Sequence, residues 1–241
     1  MRRQKIKRRI ILVFTLLCLC IMLFSLGKLI AWQYDNQKAK SASEEAKETV
    51  KENKTLNIPK LKKINKDTVG WIQVKGTNID YPVVQRNDNS YYLTHDYNKE
   101  YNSAGWIFMD YRNDPVDLNR NTIIYGHGRL SKIMFGSLKN ILTSNWYKNS
   151  DNYYVKYYSN DTKNIWEVFS VYKIKTTSDY IQVHFSSDKQ YLKFLNKLQK
   201  RSHFKFNTYL SETDQIITLS TCYSKTEKVV MHAKLVSTIE N

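Results

Sequence analysis

Residues 215–222 read Gln-Ile-Ile-Thr-Leu-Ser-Thr-Cys, a β-branched and apolar run that ends on a cysteine. Such a run reads as a strand, and its side-chain period of two puts Thr218, Ser220 and Cys222 on one face, with Leu219 and Thr221 on the other. The thiol is therefore presented at a strand end. Outward from it the same texture recurs at residues 69–74, 79–84, 105–109, 122–125, 153–158 and 164–174, and again at 228–237. Pro82 favours an edge or a strand end, because proline donates no ladder hydrogen bond. The 122–125 run is followed by Gly126-His127-Gly128, so a histidine also stands at a strand end, between two residues able to take unusual dihedrals.

Helices are few. Ser187 can cap one with Gln190 at the reciprocal position, and Tyr191, Phe194, Leu195 and Leu198 form a stripe that should pack on the sheet. Shorter helices are expected over 134–142 and 89–94. Many strands, few helices and no β-α-β rhythm suggest a closed or nearly closed β-barrel with helical insertions. Phosphate-binding, dinucleotide, zinc-protease and EF-hand motifs are all missing from the sequence, and no cofactor is expected.

The amino terminus is a different kind of sequence. Six of the first nine residues are basic (Arg2, Arg3, Lys5, Lys7, Arg8, Arg9), and residues 10–27 carry no charge. With Lys28 snorkelling and Trp32 at the interface, residues 10–32 reach roughly 34 Å at about 1.5 Å per residue, enough for one membrane span. A basic tail at 1–9 should remain cytoplasmic, which puts everything after Trp32 outside the cell. A cleaved signal peptide is disfavoured because its apolar region is shorter and ends on small residues. Residues 33–60, rich in Lys, Glu, Ala, Ser and Asn, read as an extracellular spacer, a solvated helix over 39–54 or a loose tether. The globular domain is then expected over 61–241. Part of the +16 net charge belongs to the membrane flank, which argues against a nucleic-acid binder.

Of three cysteines, Cys18 and Cys20 lie in the apolar span, so Cys222 is the one exported thiol. It has no partner for an intramolecular disulfide and supplies no cysteine-rich metal site, and no metal is expected. It is buried, bridged to another chain, or reactive. Cys222 and His127 come from separate strand ends and could meet over one cleft, as cysteine nucleophile chemistry requires, with a basic side chain nearby to hold an oxyanion.

At this point the sequence resembles the class B sortases, membrane-anchored cysteine transpeptidases of Gram-positive bacteria. The ordered fragments that carry the resemblance are Gly70-Trp71-Ile72, Asp80 to Gln85, Asp88-Asn89 with Tyr92-Leu93 and His95-Asp96, Gly105 with Ile107-Phe108 and Asp110 to Asn113, Asn121 to His127 with Met134 to Leu138, and Thr218 to Cys222. The resemblance implies an eight-stranded sortase β-barrel, mainly β, with an amino-terminal helical part and an inserted helix. It implies cleavage of a carboxy-terminal NPxTN-like sorting signal after Thr, a thioester on Cys222, and release by an amine of a peptidoglycan precursor, with His127 as general acid and base. The partners are then surface proteins bearing such a signal, the wall precursor and the membrane. By motif, Asn89, Leu93, Thr177, Tyr180 and Ile181 match the walls of the signal groove, and Ser220 and the backbone N–H of Tyr223 border the reacting centre. One departure stands out: sortases carry arginine at the start of the strand after the cysteine, and this chain has Lys228, followed by Val229 to Lys234. Lysine brings charge without the planar fork of donors, so Arg129 and Arg112 are rival candidates for the third role.

Two competing readings remain: a non-enzymatic, membrane-tethered binding module, either a degenerate sortase or a surface protein contacting anionic polymer, and a cysteine peptidase that releases its product to water. His95, His184, His203 and His232 read as packing or surface residues.

Overall fold

The computed structural model describes residues 2–51 and 56–240. The chain divides into two compact units, residues 1–38 and 39–241. The first is helical, part of α1 (Arg2–Lys51), and holds an 18-residue window of mean hydropathy 2.8 with none of it buried. It is one helix long and apolar enough to cross a membrane, as the uncharged run at 10–27 suggests.

The second unit begins earlier than the expected boundary at 61. Residues 39–51 continue α1, and Ala39, Ala42, Ala46 and Val50 are buried in the same cluster as Trp71 and Ile72 of the barrel. Spaced three and four apart, they form one apolar stripe. Lys47 adds an ion pair to Asp80 at 3.6 Å and lies over the Tyr81 ring. This stretch is therefore not a spacer. Alanines bury little area each, and in a sequence they look the same in a solvated helix. The rest of the expected helix, residues 52–54, lies outside the described residues.

After α2 (Ile58–Ile64) the strands are β1 (Thr68–Val74), β2 (Asp80–Val84), β3 (Phe108–Met109), β4 (Asn121–Tyr125), β5 (Tyr154–Tyr158), β6 (Thr162–Lys175), β7 (Ile216–Cys222) and β8 (Glu227–Glu240). They close into a barrel of order β1-β2-β3-β4-β7-β8-β6-β5. Only β2–β3 and β4–β7 pair in parallel. Of the expected 105–109 strand only Phe108 and Met109 pair regularly. The expected short helices are 3₁₀ turns at Tyr91–Leu93 and Gly136–Leu142, and α3 (Ser144–Tyr147) follows the second. Pro82 pairs with Trp71 of β1, while β2 meets β3 only at Val84, so no ladder donor is missed.

The alternation read in β7 is reproduced in three dimensions. Ile217 and Leu219 lie in the main core with Trp71 and Trp106, whereas Ile216 belongs to a second cluster under α4 (Asp188–Lys200) with Phe169, Tyr191, Phe194, Leu195 and Leu198. The Ser187 side chain caps α4 at the Gln190 N–H. The reciprocal arm reaches one residue further back: Gln190 Oε1 accepts from the Ser186 N–H and hydroxyl at 2.7 and 2.9 Å.

Candidate active site

The parallel pairing of β4 and β7 decides where the reactive side chains meet. Tyr125 at the end of β4 is in register with Ser220, two residues short of Cys222 at the end of β7. Because the two strands run the same way, the residue after each strand end emerges on the same rim. His127, two residues beyond β4, and Cys222 thus open onto one cleft of about 440 Å³. Thr221 Oγ1 donates to the Gly126 carbonyl at 2.7 Å and fastens the two ends together.

Gly126 and Gly128 do not use left-handed dihedrals; the glycines that do are Gly76 and Gly105. Their role is close approach. A Cβ on Gly128 would stand 2.0 Å from the Cys222 carbonyl oxygen, and one on Gly126 2.8 Å from the Phe135 ring. Gly105 combines both reasons: its φ is +58°, and a Cβ there would meet the Tyr92 carbonyl at 2.5 Å and the His127 ring at 2.9 Å.

His127 Nε2 donates to the Leu93 carbonyl at 2.8 Å, which leaves Nδ1 as the nitrogen with an available lone pair. Burial pushes its pKa below the ordinary imidazole value; the Leu93 carbonyl opposes this, and the charges of Arg129 and Lys228 add to it. Cys222 is exposed. Its cross-strand partner in the β7–β8 ladder is Lys228, whose Nζ donates to Sγ at 3.0 Å.

The rival cations are engaged elsewhere. Arg112 makes a two-pronged pair with buried Asp110, at 2.8 and 2.7 Å, and donates to the Ile181 carbonyl. Arg129 reaches the Ser103 carbonyl at 3.2 Å. Only Lys228 of the three lines the cleft.

Asn89, Leu93, Thr177, Tyr180, Ile181 and Ser220 all line it too. Tyr223 does not. Its N–H is spent on the Glu227 carbonyl at 2.8 Å, closing the turn between β7 and β8, and its ring lies between Lys139 and Lys173. The expectation that this N–H borders the reacting centre is therefore corrected: a tight antiparallel turn consumes the first donor after the strand. Sequence reading also missed Phe108, Tyr125, Thr176 and Ser178, which complete the lining. Tyr125 and Phe108 carried a signal, since both stand within the fragments quoted for the resemblance.

The wall containing Thr177, Tyr180 and Ile181 is a loop, and buried polar groups hold it. Asn121 Nδ2 donates to the Tyr180 and Gln182 carbonyls at 3.3 and 2.9 Å, and the Tyr180 hydroxyl shares a 2.9 Å bond with Ser220 Oγ. Behind them Thr218 Oγ1 donates to Asn121 Oδ1 at 2.6 Å and accepts from His232 Nδ1 at 2.8 Å, while Tyr172 donates to His232 Nε2 at 2.8 Å. His232 is fully buried, and desolvation pushes its pKa down to about 3. His95 instead stacks on Tyr91 at 4.0 Å, with Nδ1 on the Tyr91 carbonyl. Among the described residues no group of three or more His, Cys, Asp or Glu is arranged to hold a metal ion.

Comparison with known proteins gives one consistent answer. A family model described as the sortase domain matches residues 72–236. The chain is 35% identical to sortase B of Staphylococcus aureus over 250 residues, covering 97% of this chain and 99% of the relative. The crystal structure of sortase B from Bacillus anthracis in complex with AAEK1 superposes with a TM-score of 0.77 at 39% identity, over 85% of this chain and 99% of that one. A Staphylococcus aureus sortase B–substrate complex gives the same TM-score at 33% identity, over 85% and 99% of the two chains.

Proposed function

From the premise that the chain belongs to the sortase family and within it to class B, we propose that it cleaves an NPxTN-like carboxy-terminal sorting signal after Thr and transfers the acyl group to a peptidoglycan amine. The observation that carries the reading is the convergence of Cys222, His127 and Lys228 on one cleft walled by Leu93, Tyr180 and Ile181. A peptide of mixed polarity fits an apolar wall with convergent polar groups.

In this mechanism neutral His127 takes the Cys222 proton, and sulfur attacks the threonine carbonyl. As the carbonyl oxygen gains charge, the Lys228 ammonium, 3.0 Å from Sγ, supplies electrostatic stabilisation. His127 then protonates the departing amine, leaving a thioester. The entering amine attacks the thioester and gives a proton to His127; as the C–S bond breaks, His127 passes that proton to the Cys222 sulfur, which restores the thiol and the neutral imidazole. Lys228 stands in for the usual arginine as a point charge. The apolar helix at the amino terminus would anchor the enzyme, with Met1 inside and the barrel outside, next to the precursor that supplies the amine.

The test uses the full chain in detergent with a library of signal peptides and an oligoglycine or wall-peptide amine. Mass spectrometry should find cleavage after Thr, an acyl-enzyme on Cys222 and the amine-linked product, with all three absent from Cys222→Ala. Product released only to water at saturating amine would replace transpeptidation by hydrolysis. Turnover by a folded Cys222→Ala would end the enzyme reading.

A further inference from the structure

The pairing of Cys222 with a lysine has a chemical consequence that an arginine would not bring. The two residues face each other across the β7–β8 ladder, with Nζ 3.0 Å from Sγ. Sγ belongs to an exposed cysteine at the mouth of the cleft, open to small solutes. Nothing else in the 39–241 unit offers a thiol, because Cys18 and Cys20 both precede it. A sulfenic acid formed at Cys222 thus has no disulfide partner within the unit. The other usual trap, the backbone nitrogen of the following residue, is held by the Glu227 carbonyl. The Lys228 amine is the nucleophile in contact with the sulfur.

We propose that the Cys222–Lys228 pair is a covalent modification site for hydroperoxides, closing to a reversible sulfur–nitrogen cross-link. In the first step Cys222 sulfur attacks the peroxide, the O–O bond breaks, sulfur is oxidised by two electrons, and one peroxide oxygen stays as Cys–SOH while the other leaves as water. In the second, Lys228 loses its ammonium proton to solvent and its lone pair attacks the sulfur. The S–N bond forms, the S–O bond breaks, and the hydroxyl leaves with an amine proton as water. The sum is one thiol, one amine and one hydrogen peroxide giving a sulfenamide and two waters. Two equivalents of an external thiol reverse it, yielding the free pair and a disulfide.

The cross-link spares Cys222 from sulfinic and sulfonic acid, the steps from which it does not return. Cys222 and Lys228 stand directly opposite each other on paired strands, and the next pair, Tyr223 and Glu227, is tied by a backbone hydrogen bond, so the ring closes with little loss of freedom. A guanidinium stays protonated and cannot act as this nucleophile. Lys228→Arg is therefore the sharp control: it keeps the charge and removes the amine.

The experiment uses the full chain in detergent with Cys18→Ser and Cys20→Ser, so that Cys222 is the one thiol. After treatment with hydrogen peroxide, cleavage after glutamate separates residues 213–227 from 228–240. The expected product is a linked pair about 2 Da lighter than the sum of the two peptides, dissociated by dithiothreitol. In Lys228→Arg the 213–227 peptide should instead gain about 32 or 48 Da, and thiol should not restore it. Alkylatable Cys222 recovered after reductant should be about fivefold higher with lysine than with arginine. Unlinked peptides together with equal loss of Cys222 in both proteins would overturn the proposal. The readout is mass, so it stands or falls separately from transpeptidation.

Discussion

Replacing Lys228 with alanine tests the electrostatic core of the mechanism. For a carbonyl oxygen brought as near to Nζ as Sγ is, 3.0 Å, a unit charge is worth about 1.4 kcal/mol if screened like bulk water and about 5.5 kcal/mol at an effective dielectric constant of about 20. Lys228 is half-buried at the rim of an open cleft, so the lower half of that range applies. About 2.7 kcal/mol corresponds to a fall of about 10² in kcat/KM. Lys228→Arg should stay within about tenfold of the parent, since charge persists while geometry changes. A second readout is independent of the size of the loss. Lys228 is one of the charges that hold the His127 pKa below its ordinary value, so neutral His127 persists to lower pH with lysine present. Without it the His127 pKa rises, and the acid limb of the kcat/KM profile should move to higher pH. The assay is steady-state cleavage of a quenched fluorescent signal peptide across pH 4.5–8 at fixed salt, with Arg129→Ala and Arg112→Ala run alongside. Arg112→Ala should mainly raise KM, because that side chain ties the Ile181 carbonyl to Asp110. A folded Lys228→Ala within threefold of the parent, or an acid limb that moves down, would refute the argument; a crippled Arg129→Ala beside it would move the role to Arg129.

Three further outcomes follow from the packing. Gly128→Ala, whose Cβ would sit 2.0 Å from the Cys222 carbonyl oxygen, should displace the end of β7 and lower kcat/KM by about 10² or more; unchanged kinetics would mean that the close approach is dispensable. His232 is neutral when buried and must charge on unfolding in acid, so its contribution is complete above about pH 6.5 and is lost as pH falls toward about 3; at pH 5 this amounts to about 2 kcal/mol. Urea titrations at pH 5 and 7.5 should show that difference largely removed in His232→Gln, and an unchanged pH slope in a folded variant would exclude His232 as its source. Deleting residues 1–57 rather than 1–38 strips Ala39, Ala42, Ala46 and Val50 from the core, and should cost up to about 4 kcal/mol in denaturant unfolding; equal midpoints would restore the spacer reading.

Several features were legible in the sequence because they are local. The period-two runs located most strands, and the stripe of Tyr191, Phe194, Leu195 and Leu198 predicted the buried face of α4. The uncharged run at 10–27 marked the apolar helix, and the order of motifs around His127 and Cys222 pointed to a sortase. What remained hidden depends on groups distant in the chain. That β4 and β7 lie side by side and parallel, bringing His127 and Cys222 to one rim, is a long-range pairing with no trace in either strand's own pattern. The glycines flanking His127 looked like turn residues, yet what requires them is the backbone of Cys222 and the ring of Phe135. Tyr223 was assigned to the reacting centre by motif, from the resemblance, but a backbone N–H makes one good hydrogen bond and the turn has claimed it. Among Lys228, Arg112 and Arg129, charge alone gave no preference; the tertiary structure separates them because Asp110 holds one, the Ser103 carbonyl engages another, and the β7–β8 register leaves Lys228 against the sulfur.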